Sequence, residues 1–266
     1  MRLPLAVAFA ACLLPSLAAA QKVSVCDDEA EFPPYTYREK HPDNPAAMRV
    51  TGATVDLVAE IFRHAKLTYS YDLIPWKRCT LEVENYRGGD GYEMFVNGSL
   101  NDERAKKFLV SLPVFRRHTG LWYSVKRFPQ AIPITKPADL DGWRVCGARG
   151  YNYDWLVALG VREIDTGAAS PQVALQKISL DRCDFVVAGL EDTYIAQKLG
   201  RLTIPPDIKG VAFPGHRYPT YHFFISKNSP RAQELHAAIN RAIRDLQAKG
   251  VAQEIFRKYL PDGDGL

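Results

Sequence analysis

The sequence predicts an α/β protein built from two successive strand-and-helix units. Apolar residues recur at helical spacing over residues 55–65 and then alternate over residues 67–73. Strand, helix and strand in this order are typical of a parallel sheet. A second series of the same kind begins after Gly142. The two series together predict two lobes, each with its own sheet flanked by helices.

The first twenty residues have the layout of a secretory signal peptide. One positive charge, Arg2, precedes an apolar run over residues 3–14, and the segment ends on three alanines. The run is too short to span a bilayer. We therefore expect cleavage before Gln21 and export of the mature chain. A lipoprotein anchor at Cys12 is the competing interpretation, but the apolar stretch continues past this cysteine.

Composition and motifs argue against several classes of function. The formal net charge of +4 is small and the chain has no run rich in lysine and arginine, so no nucleic-acid partner is expected. The sequence contains neither a Gly-x-x-x-x-Gly-Lys phosphate loop nor a Ser/His/Asp set. The cysteines form no Cys-x-x-Cys pair of the kind that binds zinc. We therefore expect no cofactor, no metal and no enzymatic chemistry.

Four of the five cysteines lie beyond the predicted signal peptide. An even number in an exported protein is typical of disulfides. Because two fall in each half of the chain, we predict the pairs Cys26–Cys79 and Cys146–Cys183 among three possible connectivities.

The first series ends in the strongest candidate for ligand binding. A strand over residues 23–26 leads into an acidic and aromatic loop, and a strand over residues 92–96 leads into a small polar loop that reaches Arg104. An arginine fork donates two parallel hydrogen bonds to a carboxylate and stays charged at any working pH. Arg104 is therefore the candidate ligand clamp.

The second series predicts a strand over residues 143–146, a turn at residues 147–153 and an apolar helix. A helix around residues 171–178, a strand over residues 184–188 and a helix from Thr193 follow. Near the end of the chain, Ser229 as the capping residue and Pro230 at the first helical position predict the start of a long helix, which Gly250 ends.

Five short motifs follow the predicted signal peptide in a characteristic order. They are Phe32-Pro33-Pro34-Tyr35, Gly52-x-x-x-Asp56-Leu57, Asn101-Asp102-Glu103-Arg104, Asp139-Leu140-x-Gly142 and Gly250-x-x-x-x-Ile255-Phe256-x-Lys258-Tyr259. This order resembles the family 3 extracellular solute-binding proteins, the periplasmic receptors of polar amino acid ABC importers. The resemblance covers essentially the whole chain after residue 20.

The resemblance implies a two-lobed clamshell of the type II periplasmic-binding-protein class, each lobe having a mostly parallel sheet. Lobe 1 would comprise residues 21–117 and 222–266, and lobe 2 residues 118–221. A small polar solute, an amino acid or a related carboxylate, would be caught by hinge closure. The protein, a monomer, would deliver it to a membrane-embedded ABC permease.

The resemblance also assigns roles to individual residues. Arg104 matches the arginine that grips an amino acid's α-carboxylate, and residues 150–152 match a turn at a helix N-terminus, where backbone N–H groups favour an anion. Tyrosine and tryptophan could stack on the ligand, although Trp76 could equally be a core residue of lobe 1. The residues expected to bind the ligand together with Arg104 are Asn97, Ser99, Gly150, Tyr151, Asn152, Tyr35 and Trp76.

One position departs from the family pattern. The family places an aspartate that binds the ligand's α-ammonium directly after the strand at residues 184–188, and here that residue is Gly189. The nearest carboxylates are Glu191 and Asp192. Either the loop brings Glu191 into the cleft, or the ligand lacks an α-ammonium.

Two rival functions remain open at the level of sequence. The same fold carries a periplasmic dehydratase of prephenate and arogenate, and Glu191 could act as its proton donor if burial raised its pKa. A periplasmic sensor is the third class, and it would need a separate membrane partner.

Overall fold

The computed structural model describes residues 22–215 and 218–260. The predicted signal peptide and His216, at the predicted return to lobe 1, lie outside the described residues. No helix among those described is long and apolar enough to cross a membrane. The strands are β1 Val23–Asp28, β2 Tyr37–His41, β3 Asn44–Thr51, β4 Tyr69–Ile74, β5 Met94–Ser99, β6 Phe108–Val110, β7 Phe115–Arg116, β8 Thr119–Ser124, β9 Val145–Ala148, β10 Ile164–Ala168, β11 Phe185–Gly189, β12 Ile208–Ala212 and β13 Thr220–Ser226.

Eight α-helices lie in the described part of the chain, with a short 3₁₀ helix at Pro137–Leu140. They are α1 Ala53–Ala65, α2 Trp76–Glu84, α3 Asp102–Lys107, α4 Asp154–Ala158, α5 Pro171–Ser179, α6 Glu191–Lys198, α7 Ala232–Ala248 and α8 Val251–Tyr259. The helix predicted from Ser229 begins three residues later, at Ala232, and the Ser229 hydroxyl donates to the buried carboxylate of Glu93.

The strands form two main sheets, which define the two lobes. The sheet of lobe 1 has the order β4-β1-β5-β13-β6, with β7 paired to β13, and the sheet of lobe 2 has the order β10-β9-β11-β8-β12. A separate hairpin joins β2 and β3. The predicted α/β fold with two lobes is confirmed.

Both sheets are mostly parallel, as expected, and each contains one reversed strand, β13 in lobe 1 and β8 in lobe 2. In lobe 1, β4, β1 and β5 run parallel, but β13 is antiparallel to β5, β6 and β7. In lobe 2, β10, β9 and β11 run parallel, and β8 is antiparallel to β11 and β12. The antiparallel members include β8 and β13, which follow the two places where the chain crosses between the lobes. The crossing itself reverses strand direction.

Each lobe has an apolar core between its sheet and its helices. Helix α1 places Leu57, Val58, Ile61 and Phe62 on one buried face, at the spacing expected for an amphipathic helix. It shares this core with α7 and α8. Two further apolar clusters lie on the two sides of the lobe 2 sheet.

Both predicted disulfides are present. Cys26 is bonded to Cys79 and Cys146 to Cys183, with Cα–Cα distances of 5.8 and 6.0 Å. The first links β1 to α2, and the second links β9 to the segment between α5 and β11. Each bond stays within one lobe, so neither restrains the two lobes relative to each other.

Candidate functional site

The carboxyl ends of the parallel strands in both lobes face a common cleft. A cavity of about 750 Å³, part of it open to solvent, lies there. Ligands of open α/β sheets bind at this edge as a general rule. The residues that line the cavity are Asp27, Asp28, Phe32, Trp76, Asn97, Ser99, Arg104, Arg117, Thr119, Tyr151, Asn152, Tyr153, Trp155, Val187, Ala188, Pro219 and Tyr221.

Arg104 lies in this cavity and is held in place from both lobes. The side chain of Asn101 caps α3 by accepting a hydrogen bond from the Arg104 backbone N–H at 2.8 Å. The Arg104 Nη1 donates to the Ser99 carbonyl at 2.7 Å and to the Ser99 hydroxyl at 3.3 Å. Its Nη2 donates to the Gly150 carbonyl in lobe 2 at 3.4 Å. No carboxylate of the described residues forms an ion pair with Arg104.

Trp76 forms one wall of the cavity. Its ring packs edge-on against Phe95, with centroids 5.3 Å apart, and its indole N–H donates to the Gly150 carbonyl at 3.1 Å. The Arg104 guanidinium carbon lies 5.5 Å from the indole centroid. Trp76 is thus half-buried and contacts both lobes. Arg78, two residues further along α2, forms an ion pair with Glu82 on the solvent face of the helix.

Asn97 lines the cavity but directs its amide inwards. Its Nδ2 donates to Asp27 at 2.6 Å and to the Thr36 hydroxyl at 2.9 Å, and its Oδ1 accepts from the Thr54 hydroxyl at 2.7 Å. The backbone of Asn97 is left-handed, with φ 58°, a conformation that asparagine tolerates better than most residues. The side chain positions Asp27 at the end of β1.

The sequence analysis missed two acidic site residues, Asp27 and Asp28, which lie at the carboxyl end of β1. Asp27 is fully buried, and burial raises its pKa to about 7 against the lowering effect of hydrogen bonds from its surroundings. Asp28 is 9 % exposed, and burial raises its pKa too. It accepts a hydrogen bond from the backbone N–H of Ala30 at 3.0 Å, and the nearby Tyr151 hydroxyl of lobe 2 counteracts part of the rise in its pKa. The available signal was their position directly after a predicted strand.

The lobe 2 turn at residues 150–152 faces lobe 1 across the cavity. Gly150 has φ 78°, and a side chain there would press against the Trp76 ring. Asn152 donates to the Leu100 carbonyl at 3.1 Å, and Asn101 donates to Asp154 at 2.7 Å. The predicted turn thus lies at the cleft, and these hydrogen bonds hold the lobes in contact. Helix α4 has only five residues, little more than one turn, so its dipole is small.

The carboxylates near Gly189 lie differently from the sequence expectation. Glu191 pairs with His118 and lines neither the main cavity nor the smaller one beside it. Asp192 is buried and lines the smaller cavity. Its Oδ2 accepts from the Arg117 guanidinium at 2.5 Å.

The same ion pair explains why residue 189 is glycine. A β-carbon on Gly189 would collide with the Asp192 carboxylate and with the Arg117 guanidinium. Their charged groups therefore occupy the space that a side chain at residue 189 would need. Arg117 also donates to the Tyr221 hydroxyl at 2.6 Å and lies over the ring of Phe32. Sequence reasoning missed Arg117, although it falls at the predicted crossing between the lobes.

Tyr35 lies away from the cavity. Its ring is 2 % exposed and stacks on Phe115 at 4.2 Å, and Phe115 stacks in turn on Tyr221 at 4.6 Å. Its direction is set by Gly52, where a β-carbon would collide with the Pro34 and Tyr35 carbonyls. The aromatic residue of this loop that does line the cavity is Phe32.

With this geometry in place, comparison with known proteins identifies the family. Residues 25–262 match the family model of bacterial extracellular solute-binding proteins, family 3. The chain belongs to this family. It is therefore a solute-binding protein with a two-lobed α/β fold. A search of curated protein sequences gives no match.

Three solved structures illustrate the range of proteins that share the fold. The arginine-, lysine-, histidine-binding protein ArtJ from Geobacillus stearothermophilus has a TM-score of 0.71 at 20 % identity, with 91 % of this chain and 96 % of ArtJ covered. A histidine kinase sensor domain with similarity to periplasmic binding proteins has a TM-score of 0.71 at 18 % identity, covering 92 % and 97 %. The ancestral amino acid-binding protein AncCDT-1, a precursor of cyclohexadienyl dehydratase, has a TM-score of 0.66 at 16 % identity, covering 90 % and 95 %. At these identities the likeness concerns the fold.

Proposed function

We propose that this solute-binding protein captures a small carboxylate-bearing solute, an amino acid or a related compound, by closure of its two lobes. The observation that carries the proposal is Arg104, a guanidinium in the cavity with no carboxylate partner among the described residues. A desolvated cation without a counter-charge is costly unless a ligand supplies one. The carboxylate of the solute is that counter-charge.

The remaining contacts come from residues around Arg104. The Ser99 hydroxyl already lies 3.3 Å from the guanidinium and can donate to the same carboxylate. Trp76 and Tyr151 cover the apolar part of the solute, and the turn at residues 150–152 closes over it. Asn97 acts through Asp27, since its amide bonds within lobe 1. Tyr35 and Glu191 contribute indirectly, because neither lines the cavity.

Closure joins the lobes through the solute and through direct hydrogen bonds. Trp76, Asn101 and Arg104 of lobe 1 each bond to lobe 2. A solute that contacts both lobes favours the closed form by its differential affinity for that form. The closed protein, a periplasmic monomer, then delivers the solute to a membrane-embedded ABC permease. This role needs no nucleic acid and no cofactor.

Binding without chemistry is favoured over the dehydratase alternative. An enzyme of that type would need a proton donor at the reacting atoms. The sequence candidate, Glu191, instead pairs with His118 outside the cavity. AncCDT-1 has a similar fold and is named as an amino acid-binding protein, so the fold alone accommodates binding. A sensor role would use the same cleft and differs only in the partner.

The proposal is tested by a thermal-shift screen of residues 21–266 against carboxylates and their matched amides, since a ligand that binds only the native state raises its stability. We expect stabilisation by carboxylates alone. Equal stabilisation by the amides would contradict the role of Arg104. Mass spectrometry of the incubated solutes, including prephenate, checks for turnover, and a new product would contradict binding without chemistry.

A further inference from the structure

Arg104 and Asp28 line the cavity with charges of opposite sign and, within the described part of the chain, without a counter-charge, whereas Asp27, which also lines it, is 1 % exposed and held by Asn97 and Tyr71. Arg104 has no anionic partner and Asp28 no cationic partner among the residues that the structure describes, and both line the same cavity. Asp28 does accept a hydrogen bond from the backbone N–H of Ala30 at 3.0 Å, and the Trp76 backbone N–H and the Tyr151 hydroxyl are neutral donors that lower its pKa. A carboxylate has about four lone-pair sites, so one stays available to a cation.

One pair of opposite charges near the cavity, Arg117 and Asp192, is already balanced. Arg117 and Asp192 bond to each other at 2.5 Å, and Asp192 lines only the smaller cavity. Together they occupy the space beside Gly189. Lobe 2 therefore lines the main cavity with uncharged side chains, among them Tyr151, Asn152, Tyr153 and Trp155. A cationic group of the solute finds its carboxylate in lobe 1.

The two unpaired charges are separated by Trp76. The Trp76 backbone N–H is a donor that lowers the pKa of Asp28, whereas the Arg104 guanidinium carbon lies 5.5 Å from the centroid of the Trp76 ring. A solute that meets both must run along the indole, with its cation at a distance from its carboxylate. The aromatic walls suit the methylene chain or planar guanidinium between them.

We propose that the solute is an ω-amino or ω-guanidino carboxylic acid, with its carboxylate on Arg104, its terminal cation on Asp28 and no ammonium on the carbon next to the carboxylate. This inference rests on the proposed function, because it takes the carboxylate at Arg104 as given. It adds that Asp28 recognises a terminal cation of the solute and that no described residue recognises an α-ammonium. An α-ammonium would have no carboxylate of the described lobe 2 residues in the cavity to pair with, and it would lie near the Arg117 guanidinium.

Matched pairs of solutes test the inference by isothermal titration calorimetry. The probes are γ-aminobutyrate, 5-aminovalerate, 6-aminohexanoate and 5-guanidinopentanoate, compared with lysine and arginine, which add an α-ammonium to the last two. Hexanoate is 6-aminohexanoate without its cation, and cadaverine and agmatine are lysine and arginine without their carboxylate. We expect the best ω-substituted acid to bind at least about tenfold more tightly than lysine, arginine and hexanoate.

The outcomes separate this inference from the proposed function. If lysine or arginine binds as tightly as the ω-substituted acids, or if none of those acids binds, the inference is overturned while a carboxylate at Arg104 is still possible. If cadaverine or agmatine binds as tightly as the acids, the role of Arg104 and the proposed function fail too.

A pair of variants locates the cation. Asp28→Asn removes the charge at nearly constant shape, and Glu29→Gln does the same to the exposed neighbour. We expect Asp28→Asn to weaken binding of the best ω-substituted acid by at least about 30-fold, the range for truncating one partner of a buried charge pair, and Glu29→Gln to leave it unchanged. Hexanoate binding should not weaken in Asp28→Asn. An equal affinity of the wild type and Asp28→Asn for the ω-substituted acid overturns the assignment, provided circular dichroism shows the variant to be folded.

Discussion

Lobe 1 and lobe 2 contribute different kinds of groups to the same cleft. Lobe 1 brings three charged residues to the cavity, Asp27, Asp28 and Arg104, whereas the side chains that lobe 2 brings are uncharged. Arg117, between β7 and β8, belongs to the crossing. The difference indicates that lobe 1 recognises the charges of the solute and that lobe 2 acts as a cover, contributing shape and the Gly150 carbonyl.

The buried carboxylates of the two lobes show the same division. Asp192 of lobe 2 has a guanidinium partner, whereas Asp27 of lobe 1 has the neutral donors Asn97 and Tyr71. A buried ion pair is strongly destabilised when one partner is removed. A carboxylate with neutral donors responds instead to pH. The first is therefore a structural feature of the crossing, and the second couples the cleft to proton concentration.

Breaking the ion pair should give the largest effect on stability. Arg117→Met leaves the Asp192 carboxylate buried without a cation, and we expect the free energy of unfolding to fall by about 3–5 kcal/mol. The exposed neighbour Arg116 is the matched control, and Arg116→Met should change it by less than about 0.5 kcal/mol. Urea unfolding followed by circular dichroism measures both. Similar losses in the two variants would remove the distinction between Arg117 and an ordinary surface arginine.

The pH dependence of stability should sharpen the contrast between the two carboxylates. The pKa of Asp27 is about 7 in the folded protein and near its ordinary 3.8 when unfolded. Between these values the native state holds one more proton, so its stability falls as pH rises and levels off above pH 7. From pH 5 to pH 7 this contribution is about 2–3 kcal/mol, at 1.36 kcal/mol for each pKa unit.

The contribution of Asp27 is isolated by comparison with Asp27→Asn, which cannot titrate. Free energies of unfolding measured in urea at pH 5, 6, 7 and 8 should fall more steeply for the wild type than for the variant. Titrating groups that do not interact with Asp27 contribute equally to both proteins and cancel in the difference. Parallel curves would mean that Asp27 is ionised in the folded protein throughout this range.

A smaller effect is expected where lobe 1 meets lobe 2 through Trp76. Trp76→Phe keeps an aromatic ring against Phe95 but loses the hydrogen bond to the Gly150 carbonyl. One such bond contributes about 0.5–1.5 kcal/mol, so we expect solute affinity to fall by about threefold to tenfold. Trp143→Phe, in the lobe 2 core, is the control. An unchanged Kd for Trp76→Phe would show that this contact does not contribute to closure.

The smallest effect is expected for a contact contributed by lobe 2. Asn152→Ala removes the exposed hydrogen bond to the Leu100 carbonyl, and we expect about a twofold loss of affinity, near the lower limit for one hydrogen bond. Calorimetry with the same solute measures it. A larger loss of affinity for Asn152→Ala than for Trp76→Phe would mean that lobe 2, not lobe 1, contributes the stronger contact.

Much of the architecture was predictable because it depends on local pattern. Periodicity predicted α1, β4 and the alternation of strands and helices in lobe 2, and the distribution of cysteines predicted both disulfides. The reversed strands, β13 in lobe 1 and β8 in lobe 2, were not predicted. They depend on where the chain crosses between lobes, and no local pattern records the direction in which a strand re-enters a sheet.

Predictability of the site was more uneven. Arg104, Ser99 and Gly150 meet as expected because each follows a strand whose carboxyl end faces the cleft. The choice between Glu191 and Asp192 depends on the rotational phase of α6 at its first residues, which the sequence does not specify to within one position. Tyr35 turns into the core because Gly52 lets α1 approach its carbonyl closely, a long-range contact that the loop composition does not reveal.

The most direct test of the account is the affinity of Arg104→Ala for the tightest-binding carboxylate of the solute screen, measured by isothermal titration calorimetry. Lys106→Ala, which removes a positive charge from the exposed face of the same helix, is the matched control. The account predicts a loss of at least about 30-fold for Arg104→Ala, with an unchanged circular dichroism spectrum, and no change for Lys106→Ala. A folded Arg104→Ala variant with wild-type affinity would contradict the assignment of the cleft as a carboxylate site centred on Arg104.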